Sequence, residues 1–161
     1  MKTLLLMRHA KASQEPGQLD QDRPLAKRGE RQAPAMGQLL QEKGLVPQAI
    51  LSSNAVRARQ TAQAVAKGAG YQGEIAYYSE LYSGALEDYT RVLGSLADSL
   101  DPVLVVGHNP DMQELVEAWT GHSQELPTAT IACLSLPIAR WADLGSDTRG
   151  ELKQVLRPQE L

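Results

Sequence analysis

Short apolar runs alternate along this chain with longer stretches in which apolar residues return every three or four positions. Lys2 to Met7 is one such run with a turn-rich tail behind it, and it predicts a buried strand that ends just before His9. Pro16, Gly17 and Pro24 among polar residues make His9 to Ala26 a loop. From Glu30 the spacing of Ala33, Met36, Leu39 and Leu40 predicts a helix that stops at Gly44, with Pro34 able to bend its first turns. Ala49 to Ser52 reads as a second strand. Asn54 is a candidate cap for a helix through Ala55, Ala58, Ala62 and Val65, which ends at Gly68 to Gly70.

The pattern repeats downstream. Ile75 to Tyr78 is a third strand, and Leu86, Tyr89, Val92, Leu93, Leu96 and Leu100 mark a helix interrupted by Gly94. Val103 to Val106 is uninterrupted apolar sequence, the pattern of a strand buried on both faces. Asn109 as cap and Pro110 at the first helical position then predict a helix through Met112, Leu115, Val116 and Trp119. Ile131 to Leu136 and Leu152 to Leu156 complete the set as strands around Trp141. Strands alternating with helices imply a three-layer α/β/α sandwich with a mostly parallel central sheet. In such sheets ligands bind beyond the carboxyl ends of the strands.

Length and composition narrow the class. The 161 residues, 42% hydrophobic, suit one domain over 1–161 with a sizeable core. Sixteen basic residues against nineteen acidic ones give no overall attraction to nucleic acid or to an acidic membrane. Cys133 is the only cysteine, which excludes an internal disulfide and suits a reducing cytoplasm. Leu4 to Met7 is ended by Arg8, His9 and Lys11 too early for a signal peptide or membrane span, so a soluble, unprocessed protein is expected. A monomer is the separate expectation for its oligomeric state.

Arg8, His9, Arg57 and His108 each fall just after an expected strand or in the first turn of the next helix. Taken singly, each has a bland explanation as a surface charge or a hydrogen-bonded structural histidine. Together they lie where unpaired amides and the positive end of a helix dipole favour a phosphate. Arginine forks neutralise phosphoryl oxygens and stay charged. A neutral imidazole is an available nucleophile near pH 7, aimed by a hydrogen bond on its other nitrogen.

These residues carry a resemblance. Arg8-His9-Ala10, the run Ser52 to Thr61 containing Arg57-Ala58-Arg59-Gln60-Thr61, and Gly107-His108-Asn109-Pro110 resemble the histidine phosphatase superfamily, with its phosphoglycerate-mutase-like fold. Asp20 through Arg23-Pro24-Leu25 to Arg28-Gly29 is similar to its SixA-like branch of protein-phosphohistidine phosphatases. The resemblance implies His9 as a nucleophile that becomes phosphorylated. It makes Arg8, Arg57 and His108 a phosphate pocket, with His108 cationic. It implies no metal or other cofactor, and a phosphohistidine-bearing protein as substrate. Asp20, Arg23 and Arg28 match the branch's loop and read equally as ion pairs that pin it. Asn109 reads as a cap, and His122 as surface.

One departure stands out. Many members place an acid in a Leu-x-Glu pattern after the third strand, where this chain has Leu81-Tyr82-Ser83. Glu80 is adjacent, but alternation with Leu81 turns it elsewhere if the segment is extended. Competing readings are a broad-specificity small-molecule phosphomonoesterase or a mutase of the same superfamily, and a non-catalytic phosphate-binding module. A metal enzyme finds no ligand spacing in three scattered histidines and one cysteine.

Overall fold

A computed structural model describes residues 1–158; residues 159–161, the end of the expected domain, lie outside the description. Six strands form one sheet: β1 (Lys2–Arg8), β2 (Ala49–Ser53), β3 (Ile75–Tyr78), β4 (Val103–Gly107), β5 (Ile131–Leu136) and β6 (Glu151–Leu156). Four α-helices connect them: α1 (Lys27–Glu42), α2 (Val56–Ala69), α3 (Leu86–Gly94) and α4 (Asp111–Thr120). The strand order is β3-β2-β4-β1-β5-β6. The first four strands in that order run parallel, and β5 pairs antiparallel with both β1 and β6. This is the expected α/β/α architecture with a mostly parallel sheet.

Alternation along the strands separates two cores. Leu4 and Leu6 of β1, with Val103 and Val105 of β4, face α3 and α4 and pack with Met112, Trp119 and Trp141. Leu5 and Met7, with Leu104 and Val106, face α1 and α2 and pack with Met36, Ala62 and Val65. Both β1 and β4 are therefore apolar at successive positions because each face is covered.

The two helices on the second face touch backbone to backbone. A Cβ placed on Gly37 would stand 2.3 Å from the Val65 carbonyl oxygen, and one on Gly68 would stand 2.1 Å from that of Pro34. Only glycine permits this approach. Pro34 lies within α1, which continues through it to Glu42.

Some helix ends differ from expectation. Helix α1 starts at Lys27, three residues before the periodic pattern begins. Helix α3 stops at Gly94, and Leu96 and Leu100 reach the core from the segment beyond it. Asn54 is exposed and does not cap α2; the Ser53 hydroxyl accepts the Ala55 amide hydrogen instead. Pro110 rather than Asn109 precedes the first residue of α4. Among the described residues, no helix is long and apolar enough to cross a membrane.

Candidate active site

The carboxyl ends of β1, β2 and β4 lie side by side, and each delivers one part of a buried polar cluster. His9 follows β1, Arg57 occupies the first turn of α2 after β2, and His108 follows β4. All three are nearly closed to solvent, at 7%, 6% and 6% exposure. The His9 and His108 ring centroids are 5.2 Å apart. Arg57 Nε donates to His9 Nε2 at 3.3 Å. Arg8, at the last position of β1, is half-buried and donates from Nη1 to the Leu126 carbonyl at 3.4 Å, while its buried Nε has no hydrogen-bond partner among the described residues.

The tautomer of His9 follows from its neighbours. Nδ1 lies 2.8 Å from the Ala10 carbonyl oxygen, which can only accept, so the proton of the neutral ring sits on Nδ1. That leaves a lone pair on Nε2, the nitrogen facing Arg57. Burial, aided by His108, Arg57 and Arg8, pushes the His9 pKa down to about 3, although the Ala10 carbonyl opposes the change. The ring is therefore neutral at physiological pH. A neutral, oriented imidazole beside arginine is a competent nucleophile for phosphorus.

His108 departs from the cation implied above. Its burial and the nearby Arg57 lower its pKa to about 4, with Arg8 adding to the effect and Asp20 opposing it. It is neutral in the free protein, because two arginines already supply the positive charge and desolvation disfavours a third. Its Nε2 lies 2.9 Å from Ser53 Oγ.

The run after β2 holds the site together. Thr61 Oγ1 accepts the Ala10 amide hydrogen at 3.0 Å and donates to the Arg57 carbonyl at 2.7 Å, fastening α2 to the residue after His9. Gln60 Oε1 accepts the Leu25 amide hydrogen at 2.8 Å, which fixes the far end of the β1–α1 loop. Arg59, two positions from Arg57, points away and lies over the Tyr77 ring at 4.9 Å.

The loop itself enters the site. Asp20 begins a 3₁₀ turn (Asp20–Asp22), and its carboxylate accepts from Arg57 Nη2 and Arg23 Nη1, both at 3.0 Å, and from the Tyr82 hydroxyl. Its backbone carbonyl accepts from Arg57 Nη1 at 2.7 Å. The Tyr82 hydroxyl, with Arg23 and Arg57, holds the Asp20 carboxyl well below the usual carboxylate range. The ion pairs that pin the loop are thus present for Asp20 and Arg23, whereas Arg28 stays exposed at the start of α1. Tyr82 is the residue that sequence reasoning missed: its ring meets His108 edge-on at 5.2 Å.

Other candidates lie outside the cluster. Glu80 sits in a 3₁₀ turn (Ser79–Leu81) rather than extended chain, and it pairs with Arg91 at 3.6 Å. Asn109 neither caps α4 nor faces His9; its Nδ2 donates to Gln113 Oε1 and to the Leu126 carbonyl. His122 is exposed. Among the described residues no group of three or more His, Cys, Asp or Glu side chains is placed to hold a metal ion.

Residues 4–91 match the family profile described as histidine phosphatase superfamily (branch 1). The chain belongs to the histidine phosphatase superfamily. This member is 33% identical over 149 residues to an uncharacterized protein of Mycobacterium tuberculosis, covering 86% of this chain and 91% of that one. Within the superfamily it is SixA-like. Its fold matches a crystal structure from Agrobacterium tumefaciens assigned as the phosphohistidine phosphatase SixA, with a TM-score of 0.81, 31% identity and 98% of each chain covered. A tungstate complex of the protein histidine phosphatase SixA gives a TM-score of 0.84 at 23% identity, again over 98% of each chain, and supports the fold. Family and neighbours together support phosphatase activity for this histidine phosphatase.

Proposed function

We propose that the protein hydrolyses phosphohistidine on a partner protein, through a covalent phosphohistidine formed on His9. The observation that carries this reading is the lone pair on His9 Nε2, fixed by the Ala10 carbonyl and set beside Arg57. In the first step that lone pair forms a bond to phosphorus while the P–N bond to the substrate imidazole breaks. Arg8, Arg57 and His108 donate to the phosphoryl oxygens during transfer. In the second step water attacks phosphorus, the P–Nε2 bond breaks and its electron pair returns to His9. The water proton leaves with phosphate or solvent, and the Nδ1 proton never moves.

The acid–base inventory favours a nitrogen leaving group. An alkoxide is a strong base, comparable with hydroxide from water of pKa about 15.7, and needs a proton as it departs. Asp20 is held ionised and Glu80 is turned to Arg91, so neither donates one. Imidazole departs as a weak base whose conjugate acid has a pKa of about 6.5, and general acid catalysis then gains little. The relatedness to structures named as phosphohistidine phosphatases points the same way.

The test compares phosphate release from a phosphohistidine protein, phosphoserine and sugar phosphates, with acid-labile phosphate on the enzyme followed in parallel. Fast release from phosphohistidine, with labelling lost in His9→Ala, is expected. Comparable rates on sugar phosphates would return the chain to a broad-specificity phosphomonoesterase. No turnover on any substrate would make it a phosphate-binding module.

A further inference from the structure

Arg57 spans two very different partners. One edge of its guanidinium donates to His9 Nε2, and the other donates to the Asp20 carboxylate. The same group that is to hold a phosphoryl dianion is therefore already bound to a second anion. About half of the Asp20 side chain, 52%, is open to solvent, so it lies at the mouth of the site rather than behind it. Arg23, Arg57 and the Tyr82 hydroxyl face it directly, and the neutral His108 ring lies within its field.

A phosphate ester held by Arg57 at its His9 side would bring its dianion toward a carboxylate bound to the same guanidinium. Like charges so placed disfavour binding. A phosphorylated imidazole differs once its second nitrogen is protonated, because it then carries a cationic N–H beyond the phosphoryl group. Placed in the mouth, that ring puts a positive charge between two negative ones.

We propose that Asp20 recognises the leaving ring: its carboxylate accepts a hydrogen bond from the second nitrogen of the substrate's phosphohistidine and keeps that ring protonated. The inference rests on phosphohistidine being the substrate. It also supplies the proton balance. As His9 Nε2 bonds to phosphorus, the P–N electron pair stays on the substrate ring, which goes from phosphoimidazolium to neutral imidazole with its N–H intact. No proton has to come from the enzyme. Asp20 acts as an anion and not as an acid, which agrees with its being held ionised by Tyr82 and the two arginines.

The experiment is Asp20→Asn in the full chain, assayed on a phosphohistidine protein and on p-nitrophenyl phosphate, whose phenolate leaves without a proton. A carboxylate beside a cationic acid moves its titration by about 1 to 3 pH units. Asp20→Asn should therefore lower kcat/KM for phosphohistidine at pH 8 by about tenfold or more, and move the alkaline limb of its pH profile to lower pH. Any loss on p-nitrophenyl phosphate, from the altered hold on Arg57, should be at least tenfold smaller than the loss on phosphohistidine, and Asp20→Glu should recover part of the phosphohistidine rate. Equal losses on both substrates would make Asp20 a support for Arg57 or for the loop and overturn the proposal, as would an unmoved pH limb. Wild-type protein that cleaves p-nitrophenyl phosphate but never phosphohistidine would instead overturn the substrate reading, and this inference with it.

Discussion

Replacing Arg57 by alanine removes three hydrogen bonds at once: those to His9 Nε2, to the Asp20 carbonyl and to the Asp20 carboxylate. At 6% exposure no water takes over the role of the guanidinium, so a phosphoryl group in transfer loses a charge-assisted donor in a site of low dielectric. Removing one such donor costs about 2.7 to 4 kcal/mol of transition-state stabilisation, or roughly 100- to 1000-fold in kcat. Asp20 adds to the loss, because its carboxylate then faces the phosphoryl group without the intervening cation. Arg59→Ala is the matched control. The exposed Arg59 guanidinium lies over half-buried Tyr77, a contact worth about 0.5 to 1 kcal/mol to stability and nothing to chemistry. Steady-state kinetics on one substrate, with thermal melts to show that both variants fold, decide the matter. Losses within about threefold of each other would refute the assignment of Arg57 to the phosphoryl group.

Three further outcomes follow from the same geometry. His9 and His108 are depressed to about 3 and about 4, so between those values and the ordinary 6.5 the unfolded chain binds more protons than the folded one; stability should fall on acidification from pH 7 to 4.5, and a His9→Ala/His108→Ala double variant should show a flatter Tm profile. Gly68→Ala gains about 1 kcal/mol of helix propensity but drives a methyl into the Pro34 carbonyl, an overpacking of about 1 to 3 kcal/mol, so its Tm should drop; a rise would deny the backbone contact. Glu80→Gln breaks only an exposed pair with Arg91, and both phosphohistidine turnover and Tm should stay close to wild type, whereas a tenfold loss of rate would place Glu80 in proton transfer.

The strands and helices were legible wherever burial wrote itself into the sequence. Leu4 to Met7 and Val103 to Val106 are apolar at every position because helices cover both faces, and such runs stand out against polar turns. Helix caps were less so. Asn54 and Asn109 have the side chains of caps, but the Ser53 hydroxyl was nearer to the amide at one helix and Gln113 claimed the side chain at the other. The site residues could be placed because each follows a strand, and strand ends converge on one edge in a parallel sheet. The charge of His108 was not legible, since it depends on a desolvation that only packing determines. Nor was the meeting of Asp20 with Tyr82, residues far apart in the chain and joined by no periodicity. The available signal was Tyr82 itself, next to Ser83, which stands where an acid is expected.

The position of β1 in the sheet bears on how the protein comes into being. Its two neighbours are β4 and β5, both from the second half of the chain, and Leu5 aligns with Leu104 about a hundred residues away. Closing so long a loop is slow, because its entropy is lost before the contacts compensate. On a ribosome this strand, which leads into His9, is made before both neighbours and must wait, with both edges unpaired, until most of the protein has followed. An apolar strand in that condition is a template for the wrong partner. No shorter fragment ending before β4 can assemble the cluster, so phosphate binding should appear together with the last cooperative step of folding and never ahead of it.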